Sequence, residues 1–274
     1  MTNPRAPSPI RVLRTGANGL IGNLVVAHLA ADPARYTPYG TARRLDPSQR
    51  VPASFHAIPG DRMRLADLGN FEQVRSAVAG MDVVVHMAAN GDSNAPWEGV
   101  LRDNLVAPHN IFEASREAGV KRVIFASTNQ VIFGYRDTDP YKALFEGRFD
   151  DVNLATYQPI TYTQPTRPPN DYSASKVHGE ALAHLYSATH GMSCIVLRIG
   201  WVTGDDQVPK IDRFDGRFLW CSQRDIEQLV ERCITAPPTL RFGVFFGQSR
   251  NRYNLVDIQH PIDVLGYAPA DGAA

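Results

Sequence analysis

Cysteine is scarce in this chain, and its few cysteines are not arranged to hold a metal or to form a disulfide framework. Only three occur among 274 residues, namely Cys194, Cys221 and Cys233. None of them forms a C-x-x-C pair, the spacing that is typical of zinc and redox sites. We therefore expect reduced thiols within a core and no metal centre.

The chain also lacks an excess of positive or negative charge, and it lacks long apolar runs. The 28 basic residues are balanced by 28 acidic residues, which favours a small-molecule partner over nucleic acid. No stretch reaches the roughly 18 apolar residues that a membrane-spanning helix requires. The first nine residues lack the apolar segment of a signal peptide. We predict a disordered tail over residues 1–9 and a cytoplasmic protein without a membrane partner.

Short apolar runs alternate with helical patterns along most of the chain. The predicted strands cover residues 10–13, 39–42, 82–86, 122–126 and 193–197. The predicted helices cover residues 20–31, 70–78, 100–118 and 172–190. This alternation implies right-handed crossovers between parallel strands, with helices on both faces of the sheet. The predicted fold class is therefore α/β, with a doubly wound parallel sheet.

A glycine-rich turn connects the first predicted strand to the first predicted helix. It reads Thr15-Gly16-Ala17-Asn18-Gly19-Leu20-Ile21-Gly22. Gly16 can make the tight turn, Gly19 lets the backbone approach a pyrophosphate, and Gly22 lets the helix lie close to the strand. A glycine turn can also serve only as a connection. Its position between a strand and the positive end of a helix predicts a Rossmann-type domain that binds NAD or NADP.

Two arginines follow the second predicted strand, where Rossmann-type domains contact the adenosine ribose. An acidic residue there accepts a hydrogen bond from the ribose 2′-hydroxyl, whereas an arginine accommodates a 2′-phosphate. The chain has Arg43 and Arg44, which favours NADP over NAD unless both are solvated surface residues. Asp67 and Leu68 are candidates for the adenine edge, although a helix cap would explain Asp67 equally well.

Tyr172 and Lys176 are four residues apart in a predicted helix and therefore share one face. Oxidation of an alcohol requires a base for the hydroxyl proton, and an isolated phenol, with a pKa of about 10, is a poor base at neutral pH. A neighbouring ammonium favours the phenolate. The pair predicts oxidation or reduction of a carbinol carbon, unless it is an incidental pair on an exposed helix.

Ser127 and Thr128 directly follow the strand predicted at residues 122–126. A hydroxyl at the carboxyl edge of the sheet could orient the carbinol of a substrate, although such residues also favour a simple strand-end turn. Residues 135–171 contain five prolines and no sustained period. A loop of this length is usually a lid or a binding segment, so we expect it to cover the substrate.

The domain organisation follows from these signals. Residues 10–200 are predicted to form the dinucleotide-binding domain. Residues 201–274 show a helix at 223–235 and a possible strand at 242–246. We expect them to form a small substrate-binding lobe packed on the same domain, at the edge where open α/β sheets bind ligands.

These motifs resemble those of the extended short-chain dehydrogenase/reductase family, the NAD-dependent epimerase/dehydratase group. The resemblance is carried by the glycine turn, His86-Met87-Ala88-Ala89, Ser127-Thr128 and Tyr172-x-x-x-Lys176. Within the group, the chain is most similar to the uronate-dehydrogenase-like branch. Segments at residues 125–130, 197–200, 222–225 and 265–269 support that likeness.

The resemblance implies a role for each matching residue. Tyr172 would be the general base, Lys176 its electrostatic partner, and Thr128, or alternatively Ser127, the hydroxyl residue of the triad. The implied cofactor contacts add Asn18, Leu20, Ile21, Met87, Ala88, Ala89, Asn104 and Ile199 to the glycines, arginines and adenine-edge residues named above. The candidate substrate contacts are Asn90, Asp92, Ser93, Asn129, Gln130, Trp201, Arg213 and Arg217. A homodimer through the helices at residues 100–118 and 172–190 is also implied.

The chain departs from this branch at several positions. Trp201 stands where a small hydroxyl residue is expected, Gln130 where histidine is expected, and Arg14 where an apolar strand residue is expected. Only 74 residues follow Gly200, which favours a sugar, a sugar phosphate or a sugar acid over a nucleotide sugar. We predict an NAD(P)-dependent dehydrogenase that acts on a carbinol or hemiacetal carbon of a sugar. A nucleotide-sugar epimerase or dehydratase and a non-catalytic NADP-binding redox sensor are the alternatives.

Overall fold

The structure is a computed structural model that describes residues 8–48, 51, 55–211 and 214–274. Most of the tail predicted over residues 1–9, and the candidate residue Arg213, lie outside the described residues. None of the described helices is long and apolar enough to cross a membrane. All three cysteines are buried and unpaired.

A central parallel sheet organises the described chain. Its seven strands are β1 (Ile10–Thr15), β2 (Tyr36–Ala42), β3 (Met63–Leu65), β4 (Val83–His86), β5 (Arg122–Thr128), β6 (Ser193–Ile199) and β9 (Phe242–Gly247), in the order β3-β2-β1-β4-β5-β6-β9. A separate antiparallel pair consists of β7 (Lys210–Ile211) and β8 (Phe214–Asp215). The chain begins at mid-sheet, extends one side and then returns to extend the other, as doubly wound sheets do. The predicted α/β fold class is confirmed.

Helices connect the strands on both faces. They are α1 (Leu20–Ala30), α2 (Phe71–Val78), α3 (Trp97–Val100), α4 (Ala107–Glu117), α5 (Tyr141–Phe145), α6 (Asp171–His190), α7 (Gln223–Thr235) and α8 (Gln259–Leu265). The continuous helix predicted over residues 100–118 is wrong, because a π-helical segment, Leu101–Val106, separates α3 from α4. Pro108 lies in the first turn of α4 and lacks an N–H for a continuous α-helical ladder.

Apolar cores lie on both faces because the central strands are buried on both sides. On one face, Leu13, Val84 and Val123 pack with residues of α2, α4 and α6. On the other face, Val12 and Val85 pack with residues of α1 and α7. Successive residues of β1 therefore serve opposite cores, as the pleat requires.

A third core joins two parts of the chain that the sequence analysis kept separate. Ile132, Leu144 and Ile160 pack with Phe218 and other residues near the C-terminal end. The predicted loop over residues 135–171 contains α5 and the 3₁₀-helix Phe149–Asp151, so the absence of a helix there was a wrong prediction. Its role as a substrate lid stays a prediction. Residues 201–274 supply α7 and β9 to the main layers in addition to this third core.

Candidate active site

The glycine turn lies at the carboxyl edge of β1 and opens directly into α1. Gly16 has a φ of +67°, a backbone conformation that favours glycine. A Cβ on Gly16 would lie 3.0 Å from the backbone of Ala88, and a Cβ on Gly22 would overlap the Gly16 carbonyl. The α1 N-terminus has no side-chain cap, so its free N–H groups and positive dipole end suit a pyrophosphate.

Asn18 shapes the outer side of the same turn. Its side-chain nitrogen donates hydrogen bonds to the backbone oxygens of Arg44 and Leu45, at 2.7 and 2.9 Å. The segment after β2 is thereby held against the glycine turn. Asn18 therefore holds the backbone of the segment that follows β2. It is not among the described residues that line the ligand spaces beside the glycine turn.

The end of β2 leads to a small cavity of about 170 Å³ beside the glycine turn. Arg43, Asp67, Leu68, Ala88 and Ala89 line it. Of these, Asp67 and Leu68 are the residues predicted for the adenine edge. Asp67 accepts a hydrogen bond from the Gly69 N–H. The helix cap that was the alternative interpretation of Asp67 is instead Asn70, which accepts from the Gln73 N–H at the start of α2. Arg44 is exposed and is not among the described residues that line this cavity.

Arg43 forms an ion pair that the sequence did not reveal. Its Nη2 atom lies 3.2 Å from Oδ2 of Asp103. Both residues line this cavity and the larger cleft above the glycine turn. Asp103 belongs to the π-helical segment, and nothing in the local sequence pattern predicts that it reaches the end of β2.

Thr15 connects β1 to the segment after β4. Its Oγ1 accepts hydrogen bonds from the backbone N–H groups of Met87 and Ala88, at 3.1 and 3.0 Å. Its own proton is therefore directed to Nδ1 of His86, which lies at 2.7 Å. Burial lowers the pKa of His86 to about 3, so its ring is neutral. Asn104 similarly fixes the backbone of Asn90 through two hydrogen bonds.

Tyr172 and Lys176 both lie near the start of α6, next to the end of β5. Asn170 caps the helix by accepting from the Ser173 N–H at 2.9 Å. The Nζ atom of Lys176 lies 5.8 Å from the centre of the Tyr172 ring. It also donates to the Ala126 carbonyl at 2.8 Å. Burial lowers the pKa of Lys176 to about 8.

The two neighbouring hydroxyls at the end of β5 have different partners. Ser127 donates to Glu180 at 2.5 Å, and Glu180 also forms a buried ion pair with Arg198 at 2.7 Å. Thr128 accepts from the Gln130 N–H at 3.2 Å, and no acceptor for its own proton is found among the residues that the structure describes. Both residues line the cleft at the glycine turn, and Thr128 also lines the cavity beyond it, whereas the Ser127 proton is committed to Glu180.

Two adjoining spaces meet at these side chains. The glycine-turn cleft, of about 650 Å³, extends from Gly16 to Lys176. The Trp201 cavity, of about 740 Å³, lies beyond it. Both spaces are lined by Leu20, Ile21, Gly91, Thr128, Tyr172, Ile199, Gly200 and Val202. Tyr172 and Thr128 therefore lie at the junction of the cleft and the cavity.

The predicted substrate contacts are divided by the structure. Ser93, Asn129, Gln130 and Trp201 line the Trp201 cavity, whereas Asn90 and Asp92 line the cleft. Arg217 is not among the described residues that line either space, because it pairs with Asp215 at 2.7 Å. As a substrate contact of these spaces, Arg217 is therefore a wrong prediction.

Several lining residues escaped the sequence analysis. They are Ser48, Gly91, Asp103, Phe133, Val202, Thr203, Gly204 and Leu219. Most of them lie in irregular connections and turns, where no period marks a side chain as facing a ligand. Phe133 follows the strand-end hydroxyls in the 3₁₀-helix Asn129–Asp137, and that proximity was the one available signal.

The largest cavity, of about 1190 Å³, lies at the opposite edge of the sheet. Lys121 and Arg11 share the carboxylate of Asp82 there. Arg122 donates to carbonyl oxygens at the end of α7, including that of Ile234 at 3.0 Å. The positive charges of this cavity are therefore already paired with a carboxylate and with the negative end of a helix. Its size alone does not make it the candidate active site.

The fold and the carboxyl-edge site define a Rossmann-type nucleotide-binding protein with a Tyr/Lys pair at the junction of its two ligand spaces. The chain belongs to the NAD dependent epimerase/dehydratase family, whose model matches residues 12–234. The family expected from the motifs is thus confirmed.

Individual relatives narrow the comparison. An NAD-dependent glucose-6-phosphate dehydrogenase of Haloferax volcanii is 31% identical over 96% of this chain and 94% of its own length. An L-arabinose 1-dehydrogenase (NAD(P)(+)) of the same organism is 29% identical over 96% and 98%. The crystal structure of uronate dehydrogenase from Agrobacterium tumefaciens matches with a TM-score of 0.73 and 28% identity, over 97% and 86% of the two chains.

Proposed function

We propose that the protein is an NAD(P)-dependent dehydrogenase that oxidises a hydroxyl-bearing carbon of a sugar, with Tyr172 as the general base. The observation that carries the proposal is the position of Tyr172 and Thr128 at the junction of the glycine-turn cleft and the Trp201 cavity. A hydroxyl substrate held there would face both a base and the space for a nicotinamide. The relatives that are named as sugar dehydrogenases support this assignment.

The cleft suits a dinucleotide along its whole length. The uncapped start of α1 would bind the pyrophosphate, and the small cavity beside Arg43 would take the adenine. Met87 and Ile199 line the cleft on the way to Lys176. A bound nicotinamide would accept the hydride from the substrate carbon, and side chains of the protein would accept the hydroxyl proton.

The proton chemistry is assigned to three side chains. Tyr172 would take the hydroxyl proton of the substrate while Thr128 orients the oxygen through its own hydroxyl proton. The buried ammonium of Lys176 would stabilise the phenolate, because a charge nearby in a poorly solvated site acts strongly. Its hydrogen bond to the Ala126 carbonyl fixes the ammonium in place.

The lining of the Trp201 cavity favours an uncharged sugar. Asn129 is 2% exposed, and neither polar atom of its side chain has a hydrogen-bond partner among the described residues. Hydroxyl groups of a sugar would supply those partners. Trp201 and Phe133 offer aromatic surface for the apolar face of a sugar ring. Among the described lining residues of this cavity none carries a positive charge, which favours a neutral sugar over a sugar acid or phosphate.

The decisive experiment assays neutral sugars, uronates and sugar phosphates with both cofactors. We expect stoichiometric NAD(P)H formation with at least one neutral sugar. Tyr172→Phe should lower turnover by about 10²-fold or more, because the base is lost, and should leave cofactor affinity nearly unchanged. Tyr162→Phe, at an exposed tyrosine, is the matched control and should behave as the wild type.

The outcomes separate the alternatives. Conversion of a nucleotide sugar without net NAD(P)H would indicate an epimerase instead. Cofactor binding without turnover of any substrate would favour a redox sensor. Unchanged turnover in Tyr172→Phe would refute the assignment of the base.

We further propose that the enzyme prefers NADP to NAD. Arg43 lines the adenine side of the cleft, and exchange of its Asp103 contact for a 2′-phosphate would retain a charged partner. Arg43→Asp should reduce the preference for NADP over NAD by about 10-fold or more, because a charged hydrogen bond is lost. Arg44→Asp is the matched control, because Arg44 is not among the described residues that line the cleft. Equal preference ratios in the wild type and Arg43→Asp would contradict the role of Arg43.

A homodimer is proposed through the surface around α3 and the π-helical segment. Trp97, Leu101 and Val106 are large apolar side chains exposed there, at 51%, 41% and 38%. Burial of such a surface against a second copy would be favourable. A mass of one protomer in solution would contradict the proposal. The cytoplasmic location stays a prediction.

A further inference from the structure

Arg14 is a buried cation that has no counter-ion in the described structure. It is 1% exposed, and none of its Nε, Nη1 and Nη2 atoms has a hydrogen-bond partner among the described residues. Burial alone lowers its pKa to about 9. By contrast, the buried Arg198 pairs with Glu180. An unpaired buried charge opposes folding, so the position of Arg14 requires an explanation.

The guanidinium lies directly beneath the glycine turn. Arg14 shares a strand face with Val12, which packs in the same core as Val25 of α1. Its Nη2 atom is 2.8 Å from the position that a Cβ on Gly22 would occupy. That same position overlaps the Gly16 carbonyl. Arg14 therefore lies between β1 and the first turn of α1, on the inner side of the turn.

The helix dipole adds to the electrostatic cost of this arrangement. The N-terminus of α1 carries a partial positive charge, and a second positive charge beneath it is repelled. No side chain caps this N-terminus, and the first turn of α1 contains no acidic residue. An anion on the outer side of the glycine turn would attract the unpaired charge of Arg14 and would also offset its repulsion from the N-terminus of α1.

We propose that Arg14 is a positioning residue for the cofactor, whose buried charge attracts the pyrophosphate through the glycine turn. This inference rests on the proposed function, because it assumes that a dinucleotide lies against α1. The charge would act together with the helix N–H groups that contact the phosphates. Because the intervening space is filled by protein, solvent screens this attraction weakly.

The experiment compares two ligands that differ in phosphate. ADP-ribose carries the pyrophosphate, whereas adenosine carries none, and titration calorimetry gives the affinity of each. Arg14→Met should weaken ADP-ribose binding by about 10-fold, because one weakly screened positive charge near the pyrophosphate is lost. Adenosine affinity should stay within about twofold. Arg14→Lys should retain most of the ADP-ribose affinity. Arg11→Met is the matched control, because Arg11 lies on the same strand but pairs with Asp82 at the far edge.

Thermal unfolding without ligand gives a second measurement. Arg14→Met should unfold at a higher temperature than the wild type, because an apolar side chain replaces an unpaired charge. Equal ADP-ribose affinity in Arg14→Met and the wild type would overturn the proposal. A parallel loss for ADP-ribose and adenosine would indicate a structural role and would overturn it as well. Failure of Arg14→Met to fold would do the same, because the proposal makes the charge dispensable for folding.

The test is independent of turnover. ADP-ribose lacks the nicotinamide and undergoes no redox reaction, so a negative result for Arg14 leaves the dehydrogenase assignment intact. Absence of ADP-ribose binding by the wild type would overturn this inference together with the dinucleotide site.

Discussion

At the scale of single residues, Ser127 and Thr128 show how two adjacent hydroxyls acquire different roles. Successive side chains of a strand point to opposite faces. Ser127 accordingly reaches Glu180 of α6, and Thr128 reaches the junction of the two ligand spaces. The sequence left both as candidates because the deciding partners, Glu180 and Arg198, lie 53 and 71 residues away along the chain.

Substitution of each hydroxyl should separate catalysis from stability. Thr128→Val keeps the shape of the side chain and removes its proton, so we expect kcat to fall by at least about 10-fold. Ser127→Ala removes a donor to the buried Glu180 and should lower the free energy of unfolding by about 1–2 kcal/mol, with little change in kcat. Steady-state kinetics and urea unfolding of both variants would check this. A larger loss of kcat in Ser127→Ala than in Thr128→Val would reverse the assignment.

The arginines at the end of β2 show the same limit of local sequence information. The pattern after β2 indicated a ribose-binding position and offered Arg43 and Arg44 equally. The structure distinguishes them, because only Arg43 is paired with Asp103 and lines the cleft. That pair joins residues 60 positions apart, a contact that no local pattern predicts.

At the scale of elements, one glycine sets the distance between α6 and β5. A Cβ on Gly179 would overlap the ring of Phe125. This close approach brings Lys176 within 5.1 Å of the same ring centre and within hydrogen-bonding distance of the β5 backbone. The spacing of the Tyr/Lys pair from β5 therefore depends on a residue that carries no functional group.

Gly179→Ala should consequently be destabilising, although alanine normally favours a helix. We expect a loss of about 1–3 kcal/mol in the free energy of unfolding, from overpacking against a buried ring, together with a lower kcat. Urea unfolding and steady-state assays would measure both effects. The double variant Gly179→Ala/Phe125→Leu is the control, since a smaller residue at 125 should restore part of the stability. Full stability in the single variant would contradict the argument.

The predicted strands and helices agree best with the structure where the residues of the element themselves carry the pattern. The strands at β4, β5 and β6 were found because buried parallel strands read as short apolar runs. The π-helical segment before α4 and the short helices within residues 135–171 were missed. The short helices depend on nonlocal packing, such as that of Leu144 in the core around Phe218, which leaves no period in the sequence. The π-helical segment ends shortly before Pro108, a local signal that the prediction of one continuous helix passed over.

At the scale of the whole molecule, Asp225 ties the C-terminal residues to the main domain. Its carboxylate accepts from the Ser249 hydroxyl at 2.6 Å and from the backbone N–H groups of Ala270 and Asp271, at 2.7 and 3.2 Å. Asp225 is 1% exposed. The segment at residues 222–225, which contributed to the family resemblance, therefore has a structural explanation.

Asp225→Ala should leave the buried Ser249 hydroxyl and the partly buried N–H groups of Ala270 and Asp271 without this acceptor. We expect the free energy of unfolding to fall by about 3 kcal/mol, measured by urea unfolding. Asp263→Ala removes an exposed carboxylate from α8 and should have an effect below about 0.5 kcal/mol. Similar stabilities for the two variants would refute the structural role of Asp225.

The Tyr/Lys pair and two walls of the Trp201 cavity belong to different elements. This arrangement affects how substrate specificity can change among related proteins. Tyr172 and Lys176 belong to one helix, α6, whereas Phe133 and Trp201 come from the segments that follow β5 and β6. Those segments can therefore change in sequence and admit another molecule while the proposed catalytic pair stays in place. Related enzymes could in this way acquire new substrates without inventing a new reaction.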